Sequence, residues 1–349
     1  MKYLKRVISS ICILAMIFCM FSGCSDSGSG GDGDSGGSYS QRAKDPMNDE
    51  IVISYIPMST AQENTPIIEA AFKEAFSIYD NITINTYDAQ FDPNTQITLI
   101  NEAITQGVDG IVIQCADASA LNNVIREAEE AGIVVITMNI GNTATPTAYV
   151  YNSDYAAGWD AAEYLDEYLN GEGNVVILDV EAAIKETCRV ATGFEDYCAE
   201  KGCFNILENV GMVTSIENGN MTMRDLLTKY DDIDLVYCVN DNQAIGAYQA
   251  IKDAGREDDG IIIFGYEGAP AGLAAIKNGE IFGTSYSDPY YESFLIAHMM
   301  LYFIQTGITG NELGFEYAPT VELGTTIVTA ENIDEIIADT HWDMSAYGY

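Results

Sequence analysis

Basic residues are scarce in this chain. Fifteen Lys and Arg stand against 53 Asp and Glu, a formal net charge of −38. Such a surface repels nucleic acid and anionic lipid headgroups, which excludes both as partners. It also disfavours an acidic ligand, unless the few cations gather in one cleft. Histidine is nearly absent, with two residues in all, and no Cys-x-x-Cys spacing occurs. A zinc site is therefore not expected, nor a cofactor, while the many carboxylates leave a calcium site open. There is no nucleophile elbow and no histidine-centred triad. After about Phe21, no apolar run is long enough to span a bilayer.

What the chain does have begins with its first residues. Lys2, Lys5 and Arg6 precede an uncharged apolar run from Val7 to about Phe21. A basic head, a short apolar run and small residues mark an export signal. Phe21-Ser22-Gly23-Cys24 resembles a bacterial lipobox, which implies cleavage before Cys24 and lipidation of it. The expectation is a signal peptide over 1–23 and a flexible Gly/Ser/Asp linker over 24–48. The linker glycines, Gly28 to Gly37, follow no strand and open no helix, so they form no phosphate loop. Cys115, Cys188, Cys198, Cys203 and Cys238 remain in the body, where Cys198 and Cys203 flank a turn and can pair.

The body is long enough for about two domains. Apolar β-branched runs such as Ile51–Pro57, Gly110–Gln114 and Ile133–Met138 read as buried strands. Between them, Ile97, Ile100 and Ile104 fall on one helix face, as do Leu121, Val124, Ile125 and Ala128. The alternation continues to Ile281–Ser285. It predicts an α/β fold with parallel sheets, helices on both faces, and two sheets rather than one. In such folds ligands bind beyond the carboxyl ends of the strands.

The residues just after the strands are rich in carboxylates, amides and hydroxyls: Ser59, Asp88, Asp117, Asn139, Asp154, Asp179, Asn240, Tyr266, Glu267 and Ser287 among them. This is a wall for binding hydroxyls rather than a catalytic set. Several members, Asp117, Asp154, Asp241 and Asp288, precede helices and serve equally well as N-caps. Asn139, Asn240 and Glu267 are the better ligand candidates, since Glu is a poor cap. Asp179 with Glu181 raises the alternative of a secreted glycosidase, but paired acids are inevitable among 53.

Taken in order, these segments resemble the type I periplasmic binding proteins, the ribose/galactose-binding group of ABC transporters. The resemblance rests on Asp88-Ala89-Gln90 with Asp92-Pro93, on Gln106-Gly107-Val108-Asp109-Gly110-Ile111-Val112-Ile113 with Asp117, on Asn240-Asp241, and on Gly265-Tyr266-Glu267-Gly268 with Asp288-Pro289. It covers about Ile51 to Asp334. It implies two doubly wound, Rossmann-like parallel-sheet lobes joined by a three-strand hinge. The implied lobes are 49–153 plus 288–318 and 154–287 plus 319–349, with crossings near Asp154, Ser287 and Pro319. Carried over by position, the ligand set is Asn139, Asn240, Glu267, Ser287, Asp88, Asp117, Asp154, Arg189, Tyr266 and Ser59. Departures are clear: Asn139 stands where an Asp is usual, Ile140 replaces an Arg, and Glu267 replaces an Asp. Ile67 and Ile68 replace two stacking aromatics, for which Tyr55, Tyr151, Tyr266, Tyr286 or Trp159 could substitute. The resemblance implies a monomeric protein that captures a small hydroxylated ligand, sugar-like, for an ABC permease. The alternative within the same fold is presentation of the ligand to a membrane receptor.

Overall fold

The computed structural model describes residues 43–140, 144–182, 185, 188–313 and 318–349. The leader, Cys24 and the linker as far as residue 42 lie outside the described residues. The first described residues already belong to the body. Lys44 pairs with Asp109 at 2.6 Å, and its backbone N–H donates to the Ile304 carbonyl. The expected linker, drawn to residue 48, is therefore too long at its end.

The chain runs β1 (Ile51–Ile56), α1 (Thr65–Ala75), β2 (Ile82–Thr86), α2 (Pro93–Gln106), β3 (Gly110–Ile113), α3 (Asn122–Glu130), β4 (Val134–Met138) and β5 (Ala148–Asn152). It continues through α4 (Asp154–Leu169), β6 (Asn174–Val180), α5 (Val190–Lys201), β7 (Asn205–Met212), α6 (Ile216–Lys229), β8 (Leu235–Cys238), α7 (Asp241–Asp253) and β9 (Ile262–Glu267). Then come α8 (Pro270–Lys277), β10 (Gly283–Tyr286), α9 (Pro289–Thr306), α10 (Gly310–Leu313), β11 (Thr320–Leu323), β12 (Thr326–Thr329) and α11 (Ile333–Asp339).

Two six-stranded sheets result, in the orders β11-β5-β4-β3-β1-β2 and β12-β10-β9-β8-β6-β7. The orders match strand for strand, so β4 and β9 hold equivalent places. The first sheet is parallel throughout, whereas β12 runs antiparallel to β10 at the edge of the second. Both lobes are the parallel-sheet α/β units expected, with this one antiparallel pair at an edge. Because β11 pairs with β5, the third passage lies between Leu323 and Thr326, later than the expected Pro319. An isolated short edge strand leaves no signal strong enough to place that turn. The other two passages fall at 153 and 287–288, between β5 and α4 and between β10 and α9.

Each strand feeds two cores, as period-two alternation requires. Ile53 and Tyr55 face Phe72, Val112, Met138 and Ile296; Ile56 faces Ile100, Ile111, Ile125 and Val135. Full burial of one such side chain contributes ~1.5–3 kcal/mol. Helix ends follow local chemistry. Asp92 caps α2 by accepting from the Asn94 and Thr95 N–H groups, and Gly107 ends it in the left-handed region at φ +67°. The α4–α5 pair is closer than any side chain permits. A Cβ at Gly158 would lie 1.9 Å from the Val190 carbonyl oxygen, and one at Gly193 2.0 Å from that of Tyr155.

The five body cysteines are thiols. Cys198 and Cys203, whose pairing the sequence left open, are buried and hydrogen-bonded to one another across the end of α5. Among the described residues, no helix is long and apolar enough to cross a membrane, and no cluster of metal-ligating side chains occurs.

Candidate functional site

The carboxyl end of β9 carries the most unusual backbone. Glu267 closes the strand at φ +96°, and Gly268 follows at φ +72°. A non-glycine residue there costs of order 1–3 kcal/mol and persists only where its surroundings impose it. Asp241, the first residue of α7, is what imposes it. Its buried carboxylate accepts from the Ala269 N–H at 2.9 Å and the Thr284 hydroxyl at 2.7 Å, and also holds the Gly268 N–H. Gly265 and Gly272 make room for it, since a Cβ at either would come within 2.3 Å of its oxygens. Asp241 is thus a positioning residue under the β9–α8 turn.

Asn240 joins this group from the end of β8. Its oxygen accepts from the Asn242 N–H at 2.8 Å and caps α7, while its Nδ2 donates to Glu267 Oε2 at 2.7 Å. One amide therefore acts as cap and as partner to the candidate carboxylate. Ser287 adds a backbone N–H and a hydroxyl, 3.1 and 3.4 Å from the Glu267 carbonyl. Nearby, the Tyr266 hydroxyl donates to Asp154 at 2.6 Å, and Asp154 also takes the Arg189 backbone N–H. The Arg189 side chain itself lies 4.8 Å from the Tyr155 ring centroid. Asp179, buried at the end of β6, is paired with Lys185 at 2.7 Å.

In the first lobe the equivalent of Glu267 is Asn139, just past β4 and also left-handed at φ +59°. The Ile140 N–H returns to the Met138 carbonyl at 2.7 Å, closing a γ-turn around it. With the amide oriented to suit its neighbours, Asn139 donates to both Glu292 oxygens at 3.0 and 3.2 Å. Asn152, at the end of β5, donates to Glu292 at 3.1 Å. Glu292 is 1% exposed and was not among the sequence candidates. Its only signal was the spacing Asp288-Pro289-x-x-Glu292, which reads as an ordinary capped helix start, and Asp288 does cap α9 through the Tyr291 N–H at 3.0 Å. Only the fold brings two asparagines to it.

The remaining candidates do not join either group through a contact. Asp88 is spent on the Thr60 and Gln90 N–H groups at 3.0 and 2.9 Å, which hold its carboxyl below the usual range. Ser59 is buried and accepts from the Ala61 N–H. Asp117 is exposed and caps its own turn through Ala120 and Ser119. Ile67 and Ile68 are buried in apolar cores. Of the substitute aromatics, Tyr55 and Tyr286 are buried, Tyr151 stacks on Tyr149 at 4.8 Å, and Trp159 packs edge-on to Tyr197 at 5.2 Å.

Burial dominates the electrostatics. It pushes Glu292 up to about 8, aided by the charge of Asp288 and opposed by Asn152. It pushes Asp241 up to about 7 against the pull of Thr284 and its backbone donors, and Glu129 up to about 7 against four hydrogen bonds. Glu267 rises to about 8 through crowding and the charges of Asp241, Asp154 and Glu63, but solvent reaches part of its side chain and screens that shift most.

These groups bind protons in the folded chain at pH values where the unfolded chain has released them. Stability therefore falls as pH rises from about 4.5 through 8. We expect a lower melting temperature at pH 8 than at pH 5.5, with Glu292→Gln reducing the difference. A melting temperature that climbs over this interval would contradict the assignment. High salt distinguishes buried carboxyls from surface repulsion, which it screens.

The architecture is that of a two-lobed α/β binding protein with polar groups just beyond the carboxyl ends of strands in each lobe. A family model described as a periplasmic binding protein domain matches residues 53–308, and the chain belongs to that family. A xylitol-binding protein of Mycolicibacterium smegmatis is 29% identical over 61% of this chain and 62% of its own length. A ribose import binding protein of Salmonella typhimurium is 26% identical over 62% of this chain and 72% of its own. The chain thus matches less than two thirds of the xylitol-binding relative's length. Two solved structures share the fold. One is a Bacillus halodurans solute-binding protein with bound myo-inositol, 24% identical with a TM-score of 0.69 over 83% of this chain and 98% of its own. The other is a periplasmic ribose ABC transporter protein from Conexibacter woesei, 20% identical with a TM-score of 0.73 over 85% and 97%.

Proposed function

We propose that this chain is the solute-capturing component of an ABC importer, held at the outer face of the cell membrane by a lipid on Cys24. Its guest is a small hydroxylated molecule gripped between the two lobes, which the three connecting passages allow to close as a hinge. The ends of β4 and β9 are the jaws. The lobes follow the two sheets, with 49–153 and 288–323 in the first and 154–287 and 326–349 in the second. The observation that carries this reading is the Asn240–Glu267 pair at 2.7 Å on a left-handed turn, with its counterpart Asn139–Glu292 on the equivalent strand. Amides and carboxylates so placed accept from and donate to hydroxyls, and an analogue lacking one hydroxyl leaves a polar group unpaired.

No bond is made or broken in this proposal. The relatives named as ribose- and xylitol-binding proteins support a sugar or polyol as the guest. A melting screen against pentoses, hexoses, polyols and nucleosides tests it, because a ligand raises stability by RT ln(1 + [L]/Kd). At 100 Kd that amounts to about 2.7 kcal/mol, a shift of several degrees. The expected result is a shift by at least one sugar or polyol, which is recovered chemically unchanged. Turnover of the compound, or shifts confined to nucleosides, would overturn the reading.

A further inference from the structure

We infer that the C-terminal segment Thr340–Met344 is a strap that clamps the second hinge passage and biases the two lobes toward one arrangement before any guest arrives. The inference rests on the hinge of the capture reading, but not on its guest.

Chain ends are poorly ordered unless something ties them down. This one is fixed to the second lobe on both sides of the strap. The Thr340 and Tyr286 hydroxyls are hydrogen-bonded at 3.3 Å. Met344 is buried in the core built on β8, β9 and α7, and the Tyr349 hydroxyl donates to Asn278 at 2.8 Å, just past α8. Between these anchors, His341 and Trp342 reach the other lobe. The His341 ring lies flat on Tyr290, with centroids 3.4 Å apart and planes within 1°. Trp342 packs against two cores at once. One is the first-lobe cluster of Ile67, Ala71 and Tyr290, and the other is the second-lobe cluster that holds Ile333 and Met344. Its indole N–H is buried with no hydrogen-bond partner among the described residues. An indole on an unconstrained chain end would turn that group to water. Lodging between the lobes is what keeps it from doing so.

Position gives these contacts a conformational role. Tyr286 is the last residue of β10, Tyr290 is the second of α9, and the passage at 287–288 lies between them. Two adjacent strap residues, Thr340 and His341, therefore hold the two sides of one passage. Rotation at 287–288 moves Tyr290 relative to Tyr286, and residues 340 and 341 cannot follow both. Relative motion is the ordinary behaviour of two lobes joined by short passages. Here it must break the His341–Tyr290 stack or draw Trp342 out of one of its cores. The covalent passages permit the hinge, and the strap opposes departure from the arrangement in which its contacts are made. Loss of one aromatic pair shifts a two-state equilibrium by roughly 2- to 10-fold.

The test is double electron–electron resonance on the full chain without solute. Spin labels are attached through p-acetylphenylalanine placed at the exposed positions Glu102 in α2 and Asp225 in α6, one on each lobe, which leaves the thiols untouched. We expect His341→Ala and Trp342→Ala each to move population from the principal interlobe distance to a second one, changing their ratio by roughly 2- to 10-fold. His341→Phe keeps the stack and should keep the distribution of the unaltered chain. Trp342 also belongs to the second-lobe core, so its variant can fail to fold. The His341 side chain is exposed, and His341→Ala then decides. A variant that melts cooperatively and shows the unaltered distance distribution overturns the strap. The measurement uses no sugar, so failure of every compound in the melting screen overturns solute capture without touching this result.

Discussion

Replacing Glu267 by alanine weakens solute binding by roughly 10- to 100-fold, about 1.4–2.8 kcal/mol. A charge-assisted hydrogen bond to a carboxylate contributes ~1.5–3 kcal/mol, so the upper part of that range corresponds to one or two lost bonds. Asn240→Ala falls in the same range for a different reason. Its amide both meets Glu267 at 2.7 Å and caps α7. Removing it frees the carboxylate to swing and removes a cap that is worth about 1 kcal/mol. The two losses overlap, so the double variant binds more tightly than the product of the single effects implies. Alanine is the right replacement at 267 because it keeps the cost of φ +96°, whereas glycine would relieve it and confound the comparison. Calorimetry with any sugar that raises the melting temperature reads the effect. Unchanged affinity in both single variants would remove this pair from the binding site.

The largest expected loss of stability comes from Gly158→Ala or Gly193→Ala. The two glycines face each other's helix backbones across the α4–α5 contact. An added methyl at either would fall about 2 Å from a carbonyl oxygen, at 1.9 Å for Gly158 and 2.0 Å for Gly193. Backbone atoms cannot rotate away, so the helices must separate. Overpacking of this kind costs typically 1–3 kcal/mol and occasionally more. The gap would also loosen Phe194, which stacks on Tyr237 at 4.1 Å in the core beneath. A drop in melting temperature of roughly 5–10 °C is expected for a domain of this size. Gly202→Ala is the control: it meets nothing within 4 Å, so only its φ of +70° is penalised. If Gly158→Ala and Gly202→Ala melt alike, close helix approach is not what the glycine supplies.

The fold was legible because buried parallel strands advertise themselves. Gly110–Ile113 and Val134–Met138 are buried at every position and apolar at all but Thr137, and their helices carry clear apolar stripes. The strands that escaped notice were β11 and β12, four residues each, the first exposed at alternate positions and the second half-buried to buried. Nothing in Thr-Val-Glu-Leu separates an edge strand from a loop, so the third passage was placed too early.

The site was half legible. Asn240 and Glu267 stood out because each follows a strand, and the structure brings them into contact. Glu292 was hidden because an acid in a first helical turn has a sufficient local explanation. Its partners lie 140 residues and more away in sequence, and no periodicity connects such positions. Asp88 and Asp117 were chosen on the same grounds as Asn240, yet their carboxylates are consumed by nearby backbone N–H groups. Residue type and position after a strand do not distinguish a group that organises its own turn from one that reaches outward.

Amide hydrogen exchange with and without a saturating sugar tests the central claim most directly. A guest held between the lobes slows exchange at two separated places at once, around Asn139 beyond β4 and around Glu267 to Ala269 beyond β9. Protection confined to the edge of one sheet, or found only at the amino ends of the strands, would contradict it.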